Sequence, residues 1–286
     1  MRIGVRAHDF GKLPVELLAD RIAEKKLSCI QLALMKAIEG IDEIDGRLNP
    51  GFAYTIGEAF RRRNVQIAVL GCYINLVDPD VTARKSQIER FKEHIRYARD
   101  LGCSVIATET GSFNSDWSFN PWNHGEEAFV TLCESVSEMV KEAERFGVFV
   151  GIEGVTTHVI HNPARMKRLL DTIGSSNLQV VFDPVNLLSP DNYHNQKKII
   201  EECFELFGDR IVAVHIKDFT IEQGKKKAAA IGKGLFDYET VMRLLQSQKP
   251  HMNMLIEEAN PETVKEDMEF LQSVYGKTCG NQTESV

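Results

Sequence analysis

The chain has 286 residues, of which 43% are hydrophobic and 26% are charged. This balance is typical of a globular protein and argues against a largely disordered chain. The formal charge of −7 provides no overall basic field, so we expect neither a nucleic acid nor an anionic membrane as a partner.

The sequence carries no sign of export or of membrane insertion. No segment approaches the roughly 20 consecutive apolar residues that a membrane-spanning helix needs. The N-terminus enters an apolar alternation at once, without the charged and long apolar regions of a signal peptide. The six cysteines lie far apart and form no C-x-x-C pair, which predicts reduced thiols rather than a thiolate metal site. Together these features predict a cytoplasmic protein.

Short apolar, β-branched runs alternate with longer stretches of helical spacing along the whole chain. The predicted strands are Ile3–Ala7, Cys29–Leu34, Gln66–Gly71, Ser104–Thr108, Val148–Ile152, Gln179–Phe182, Ile211–Val214 and Asn253–Ile256. The predicted helices between them include Arg84–Leu101, Glu126–Phe146 and Pro163–Ile173. Two of these helices are followed directly by a glycine, Gly102 after the first and Gly147 after the second, and we expect each glycine to form a left-handed cap.

This alternation predicts an α/β protein whose parallel strands are joined by helical crossovers. Eight such units without a long break favour a single (β/α)8 TIM barrel over residues 1–275. The rival is a doubly wound open sheet, but the turn after the first strand, His8–Gly11, is not the glycine-rich turn of that fold. Residues 276–286 are polar and lack periodicity, which predicts a flexible tail.

In such a barrel the functional site lies where the strands end. Strands four to eight finish on an acidic residue or a histidine: Glu109, Glu153, Asp183, His215 and Glu257. Carboxylates crowded at one rim repel each other and lose hydration, which a divalent cation would offset directly.

We therefore predict that Glu153, Asp183, His215 and Glu257 bind one divalent cation. Three carboxylates and one neutral imidazole form a hard ligand set, which favours Mn²⁺ or Mg²⁺ and also accommodates Co²⁺ or Zn²⁺. Mn²⁺ is the expected ion. Glu258 is the adjacent alternative to Glu257, and only one of the two can face the metal because successive strand residues point to opposite sides.

The local motifs resemble those of the xylose isomerase-like barrel superfamily of sugar isomerases and epimerases. They are Gly-Ile-Glu-Gly, Val-Phe-Asp-Pro-Val-Asn, Val-His-Ile-Lys-Asp, Ile-Gly-Lys-Gly and Leu-Ile-Glu-Glu, and the similarity runs roughly from Met1 to Tyr275. The resemblance implies a metal-dependent ketose or polyol isomerase or epimerase that works through a metal-stabilised enediolate. It also implies that Glu153 and Glu257 are the two acid/base residues.

The sequence departs from the ketose 3-epimerase pattern at two positions. These epimerases often place a His three residues after the metal Asp and an Arg six residues after the metal His, where this chain has Asn186 and Ile221. The His-x-Lys-Asp motif is closer to the inosose dehydratase-like branch. Endonuclease IV, another member, needs more histidines than the chain provides, including one on strand three.

Several further residues near the strand ends are predicted to contact a small sugar or polyol substrate. They are His8, Glu109, Trp117, His158, Asn186 and Lys217. Trp117 lies in Ser112–Gly125, a loop that is long for a βα connection and is interpreted as a lid.

Two other functions stay open at this stage. A lyase of the inosose dehydratase type would use the same enolisation and then expel a hydroxyl group. A non-catalytic sugar- or metal-binding barrel would need neither acid/base glutamate. A homo-oligomer is also compatible with the sequence.

Overall fold

A closed barrel of eight parallel strands forms the centre of the molecule, in a computed structural model that describes residues 1–43 and 45–280. The barrel strands are β1 (Arg2–Arg6), β2 (Cys29–Leu32), β3 (Gln66–Gly71), β4 (Val105–Glu109), β5 (Phe149–Glu153), β6 (Leu178–Phe182), β7 (Ile211–Ile216) and β10 (Asn253–Ile256). Each strand pairs with the next along the chain, and β10 closes the ring between β7 and β1. The predicted (β/α)8 barrel is confirmed.

Helices surround the barrel and bury their apolar faces against it. They are α1 (Val15–Glu24), α2 (Leu34–Ala37), α3 (Pro50–Arg61), α4 (Val81–Tyr97), α5 (Glu126–Phe146), α6 (Pro163–Ile173), α7 (Gln196–Phe207), α8 (Tyr238–Gln248) and α9 (Val264–Gly280). Helix α4 begins three residues earlier than predicted because Asp80 caps it, accepting hydrogen bonds from the amides of Thr82 and Ala83. Gly147 ends α5 in the left-handed conformation, as expected.

The lysine run Lys225–Lys227 lies in a short strand that follows the seventh barrel strand. Strands β8 (Asp218–Glu222) and β9 (Lys225–Ala229) form an antiparallel hairpin that follows β7. Lys226 Nζ donates to the backbone carbonyls of Val185 and Leu188, at 2.7 Å each. The hairpin therefore covers the segment that follows β6.

A separate apolar cluster lies among the barrel strands, and all of its buried side chains except Leu255 are small or β-branched. They are Cys29, Ala68, Val69, Val105, Ala107, Val181, Ala213 and Leu255. The larger core lies between the strands and the helices. The cysteines whose side chains are described are all free, and only Cys133 is not fully buried.

The C-terminal region differs from the prediction in one respect. Helix α9 continues to Gly280, so the first residues of the predicted tail are helical. The remainder, 281–286, lies outside the described residues, and the boundary of the barrel domain stays a prediction. None of the described helices is long and apolar enough to cross a membrane.

Candidate metal centre

Four consecutive barrel strands bring the predicted metal ligands together at one rim. Glu153 ends β5, Asp183 follows β6, His215 lies in β7 and Glu257 follows β10. One ligand atom from each lies within 4.8 Å of the others, and all four side chains are buried. Glu258, by contrast, is exposed and has a positive φ of 58°, which agrees with the choice of Glu257.

The cluster contains a buried ring nitrogen that lacks an oriented hydrogen-bond partner. His215 Nδ1 lies 3.2 Å from Glu153 Oε2 and 3.1 Å from Glu257 Oε1. Even so, His215 Nδ1 makes no hydrogen bond of acceptable geometry within the described part of the chain. Buried polar atoms normally have a partner. A divalent cation would supply it, and the cluster therefore fits a divalent metal site.

The close packing of acidic groups shifts the pKa values inside the cluster. Burial opposes the charged form of His215, but the carboxylates of Glu153 and Glu257 outweigh it and raise its pKa to about 9. Burial raises the pKa of Glu153, although His215 opposes the shift. Burial also acts to raise the pKa of Glu257, yet the cations around it prevail and lower that pKa to about 2. The two glutamates thus differ in their affinity for a proton.

Three cationic side chains account for the low pKa of Glu257: His215 has the largest effect, followed by Lys217 and Arg6. Lys217 Nζ lies 2.7 Å from Glu257 Oε2 and 2.8 Å from Asp183 Oδ2. Arg6 at the end of β1 lies 3.4 Å from Glu257 Oε1 and also pairs with Asp9 at 3.0 Å. Lys217, predicted to contact substrate, is therefore placed within the acidic cluster itself.

Asn186 supports the cluster from the segment after β6. Its Nδ2 donates to Glu153 Oε1 at 2.6 Å, and its backbone amide donates to Asp183 Oδ1 at 2.9 Å. Neither bond uses the side-chain oxygen of Asn186, and contact of this residue with a substrate stays a prediction. The structure thus places this residue against two of the acidic side chains.

Glu109, His158 and Trp117 meet on another side of the same rim. His158 Nδ1 lies 3.3 Å from Glu109 Oε2, and the Trp117 ring packs edge-on against His158 with centroids 5.6 Å apart. Burial, together with the charges of Glu153 and Glu257, raises the pKa of Glu109 to about 8. Burial lowers the pKa of His158 to about 4. At neutral pH this pair is therefore largely uncharged.

The loop that carries Trp117 is held by hydrogen bonds. Asn123 Nδ2 donates to Ser112 Oγ at 3.0 Å and to the carbonyl of Thr157 at 2.9 Å. Trp117 has a positive φ of 66°. These contacts fix the loop beside His158, and its role as a lid stays a prediction.

His8 lies next to the cluster on the side of β1, and burial followed by the charge of Arg6 lowers its pKa to about 4. Its ring approaches Tyr73 edge-on at 6.4 Å. Sequence reasoning missed Arg6 and Tyr73. Arg6 could have been found by applying the strand-end criterion to the first strand, where His8 was taken instead.

Comparisons with known proteins agree with the fold. A D-tagatose 3-epimerase-like protein superposes with a TM-score of 0.76 at 21% identity, covering 98% of this chain and 100% of the other. The IOLI protein, solved with a bound zinc atom, gives 0.70 at 16% identity, covering 98% and 97%. At such identities the likeness shows the shared fold.

A curated relative is matched over part of its length. It is the 3-oxo-isoapionate decarboxylase of Pectobacterium atrosepticum, which is 24% identical over 125 residues. The alignment spans 42% of this chain and 42% of that protein. The family model described as xylose isomerase-like TIM barrel matches residues 19–274. The predicted resemblance is confirmed, and the chain belongs to the xylose isomerase-like TIM barrel family.

Proposed function

We propose that the protein is a divalent-cation-dependent isomerase or epimerase of a small sugar or polyol. The observation that carries this proposal is the buried cluster of Glu153, Asp183, His215 and Glu257, in which two glutamates flank an imidazole. The proteins of similar fold support it, since one is described as epimerase-like and another was solved with zinc. We expect Mn²⁺ as the physiological ion, with Mg²⁺, Co²⁺ and Zn²⁺ as the alternatives.

A divalent cation at this cluster would stabilise the negative charge of an enediolate. The formation of that charge is the main barrier to removing a proton beside a carbonyl. Glu257 is ionised at neutral pH because its pKa is lowered to about 2, so it can accept that proton. Glu153, whose pKa is raised, can hold one and return it. Two carboxyl groups with pKa values pushed apart are the usual sign of an acid and a base.

The surrounding residues orient these two groups. Asn186 donates to Glu153 Oε1 and so directs Oε2 toward His215. Lys217 and Arg6 hold the two oxygens of Glu257. Burial excludes water from the acid/base pair, which strengthens every electrostatic interaction within it.

Solvent-deuterium exchange tests the proposal. The protein, supplied with Mn²⁺, is incubated in D₂O with a panel of ketoses, aldoses and inososes, and exchange at carbon is followed by NMR. We expect exchange into at least one substrate, and we expect Glu153→Gln and Glu257→Gln to abolish it. Glu258→Gln is the matched control, because Glu258 is adjacent to Glu257 in sequence but exposed. Exchange that survives both active-site changes would refute the assigned roles.

A lyase is the second candidate, and Lys217 is the observation that favours it. An ammonium group held 2.7 Å from Glu257 could protonate a departing hydroxyl after the same enolisation, as in an inosose dehydratase-like reaction. The curated relative also has a lyase activity by name, a decarboxylase. Mass spectrometry of the products separates the possibilities, because an isomerase conserves mass whereas a lyase releases water or carbon dioxide. A cation-binding barrel without catalysis would show no exchange at all.

A further inference from the structure

Gln31 in β2 is a fully buried amide that connects the metal cluster to the opposite side of the barrel mouth. Its side chain is 1% exposed. Its Oε1 lies 2.6 Å from His215 Nε2, and its Nε2 donates to the hydroxyl oxygen of Tyr73 at 2.7 Å. Gly71 leaves room for this amide, since a Cβ there would lie 3.3 Å from Gln31 Nε2. The result is a continuous hydrogen-bonded chain from His215 to Tyr73.

The chemistry of the imidazole fixes the direction of the first hydrogen bond. His215 turns Nδ1 toward the carboxylates of Glu153 and Glu257, so Nδ1 is the atom available to a cation. A neutral imidazole that offers Nδ1 carries its hydrogen on Nε2. That N–H donates to Gln31 Oε1. Metal-binding histidines commonly donate their second ring N–H to a neighbouring acceptor in this way.

The same constraint passes through the amide to Tyr73. With Oε1 committed to His215, the Gln31 amide must present its NH₂ group to Tyr73, whose oxygen accepts. The phenol hydrogen then cannot be used toward Gln31. Within residues 1–43 and 45–280 no side chain or carbonyl accepts it. Tyr73 is partly exposed at the end of β3, with Lys36 Nζ 4.0 Å from its ring centroid.

We propose that Gln31 is a positioning residue that links cation binding to substrate recognition. It holds His215 in the tautomer that can bind a cation through Nδ1. It also turns Tyr73 so that the phenol donates its hydrogen to a substrate oxygen at the mouth. This inference rests on the proposed function, because it requires a cation at His215 and an oxygen-rich substrate beside it.

Metal affinity provides the first test. Zn²⁺ binding is measured by chelator competition for the wild type, Gln31→Met and Tyr73→Phe. Loss of the group that orients a ligating histidine typically weakens metal binding by about 10- to 100-fold, and we expect this for Gln31→Met. Tyr73→Phe is the matched control, since it keeps the bond between Gln31 and His215, and we expect affinity within about twofold of the wild type. Thermal melts establish that each variant is folded.

Spectroscopy separates positioning from a merely structural role. Nitrogen-15 NMR of the Zn²⁺-loaded protein should show His215 with its hydrogen on Nε2, a resonance identified by its loss in His215→Gln. The Raman difference spectrum between wild type and Tyr73→Phe isolates the Tyr73 doublet, which reports whether the phenol donates or accepts. Gln31→Glu is the second variant, because a carboxylate still accepts from His215 but cannot donate to Tyr73. We expect it to retain Zn²⁺ and to lose the acceptor signature of Tyr73.

The substrate found by deuterium exchange completes the test. Loss of one neutral hydrogen bond, about 0.5–1.5 kcal/mol, predicts that Tyr73→Phe raises KM about 2- to 10-fold without changing Zn²⁺ affinity. If the wild type binds neither Zn²⁺ nor Mn²⁺, the proposed function and this inference fail together. If the wild type binds Zn²⁺ and Gln31→Met binds it equally well, only this inference is refuted. The same holds if the Tyr73 Raman doublet is identical in the wild type and in Gln31→Glu.

Discussion

Cation binding by this protein should depend steeply on pH, and His215 is the reason. Its imidazole lies 3.2 and 3.1 Å from two carboxylates, which raise its pKa to about 9 against the opposing effect of burial. At neutral pH His215 therefore carries a proton on the nitrogen that faces the cluster. Only the neutral imidazole can bind a cation, so the ion must displace that proton.

The raised pKa sets both the sign and the size of the effect. Because the proton competes with the cation below about pH 9, the apparent affinity should rise about tenfold for each pH unit up to that value. Between pH 9 and pH 7 the loss is about 100-fold, or about 3 kcal/mol of binding free energy. At pH 7 His215 alone should release about one proton for each bound ion. The neighbouring His8 and His158 should release none, because burial lowers both of their pKa values to about 4.

Isothermal calorimetry measures this directly. Titration of Mn²⁺ at pH 7 in two buffers with different heats of protonation gives the number of protons released per ion. His158→Gln is the matched control, since it removes a buried histidine of the same rim and should leave the proton count unchanged. An affinity that is constant from about pH 6 to pH 9, with no proton release, would refute the raised pKa of His215 from which this prediction follows.

Two further changes test the electrostatics and the packing around the site. Lys217→Met removes the ammonium that lies 2.8 Å from Asp183 and 2.7 Å from Glu257. Mn²⁺ affinity in calorimetry should rise about tenfold or more, because the ammonium no longer repels the incoming cation. An unchanged or weaker affinity would contradict this. Asp218→Ala removes a buried carboxylate and should lower the free energy of unfolding in urea by about 3 kcal/mol. Asp218→Asn keeps one acceptor oxygen, so its free energy of unfolding should fall by less. An equal decrease in both variants would contradict this reasoning. Asp218 accepts from the backbone amides of Phe219, Gly234 and Phe236.

The barrel and its acidic rim could be predicted because both follow from local patterns. Alternating apolar runs and helical stretches specify parallel strands, and parallel strands in a closed barrel must all end at the same rim. The residue that ends each strand is therefore placed by topology alone. Glu153, Asp183 and Glu257 needed no knowledge of their contacts, because the position of each in its strand was sufficient.

The partners of these residues could not be predicted, since they come from distant parts of the chain. Arg6 reaches Glu257 across the junction between the first and last strands, and Gln31 meets His215 from β2. Asn186 follows Asp183 closely in sequence, yet nothing in the local pattern indicates that its amide donates to Glu153 rather than to a substrate. Side-chain direction at a barrel mouth depends on packing among several loops, which periodicity does not report.

The exchange of a proton for a cation also changes what the site can stabilise. A divalent ion brings two positive charges, and the proton it displaces from His215 removes one, so the cluster becomes more positive by one unit. Lys217 and Arg6 remain beside Glu257, and burial weakens the screening of all these charges. The additional positive charge therefore lies close to the substrate oxygen that would become negative when a proton is removed. Under the proposed mechanism, the loss of the His215 proton on cation binding would leave the cluster better able to stabilise an enediolate.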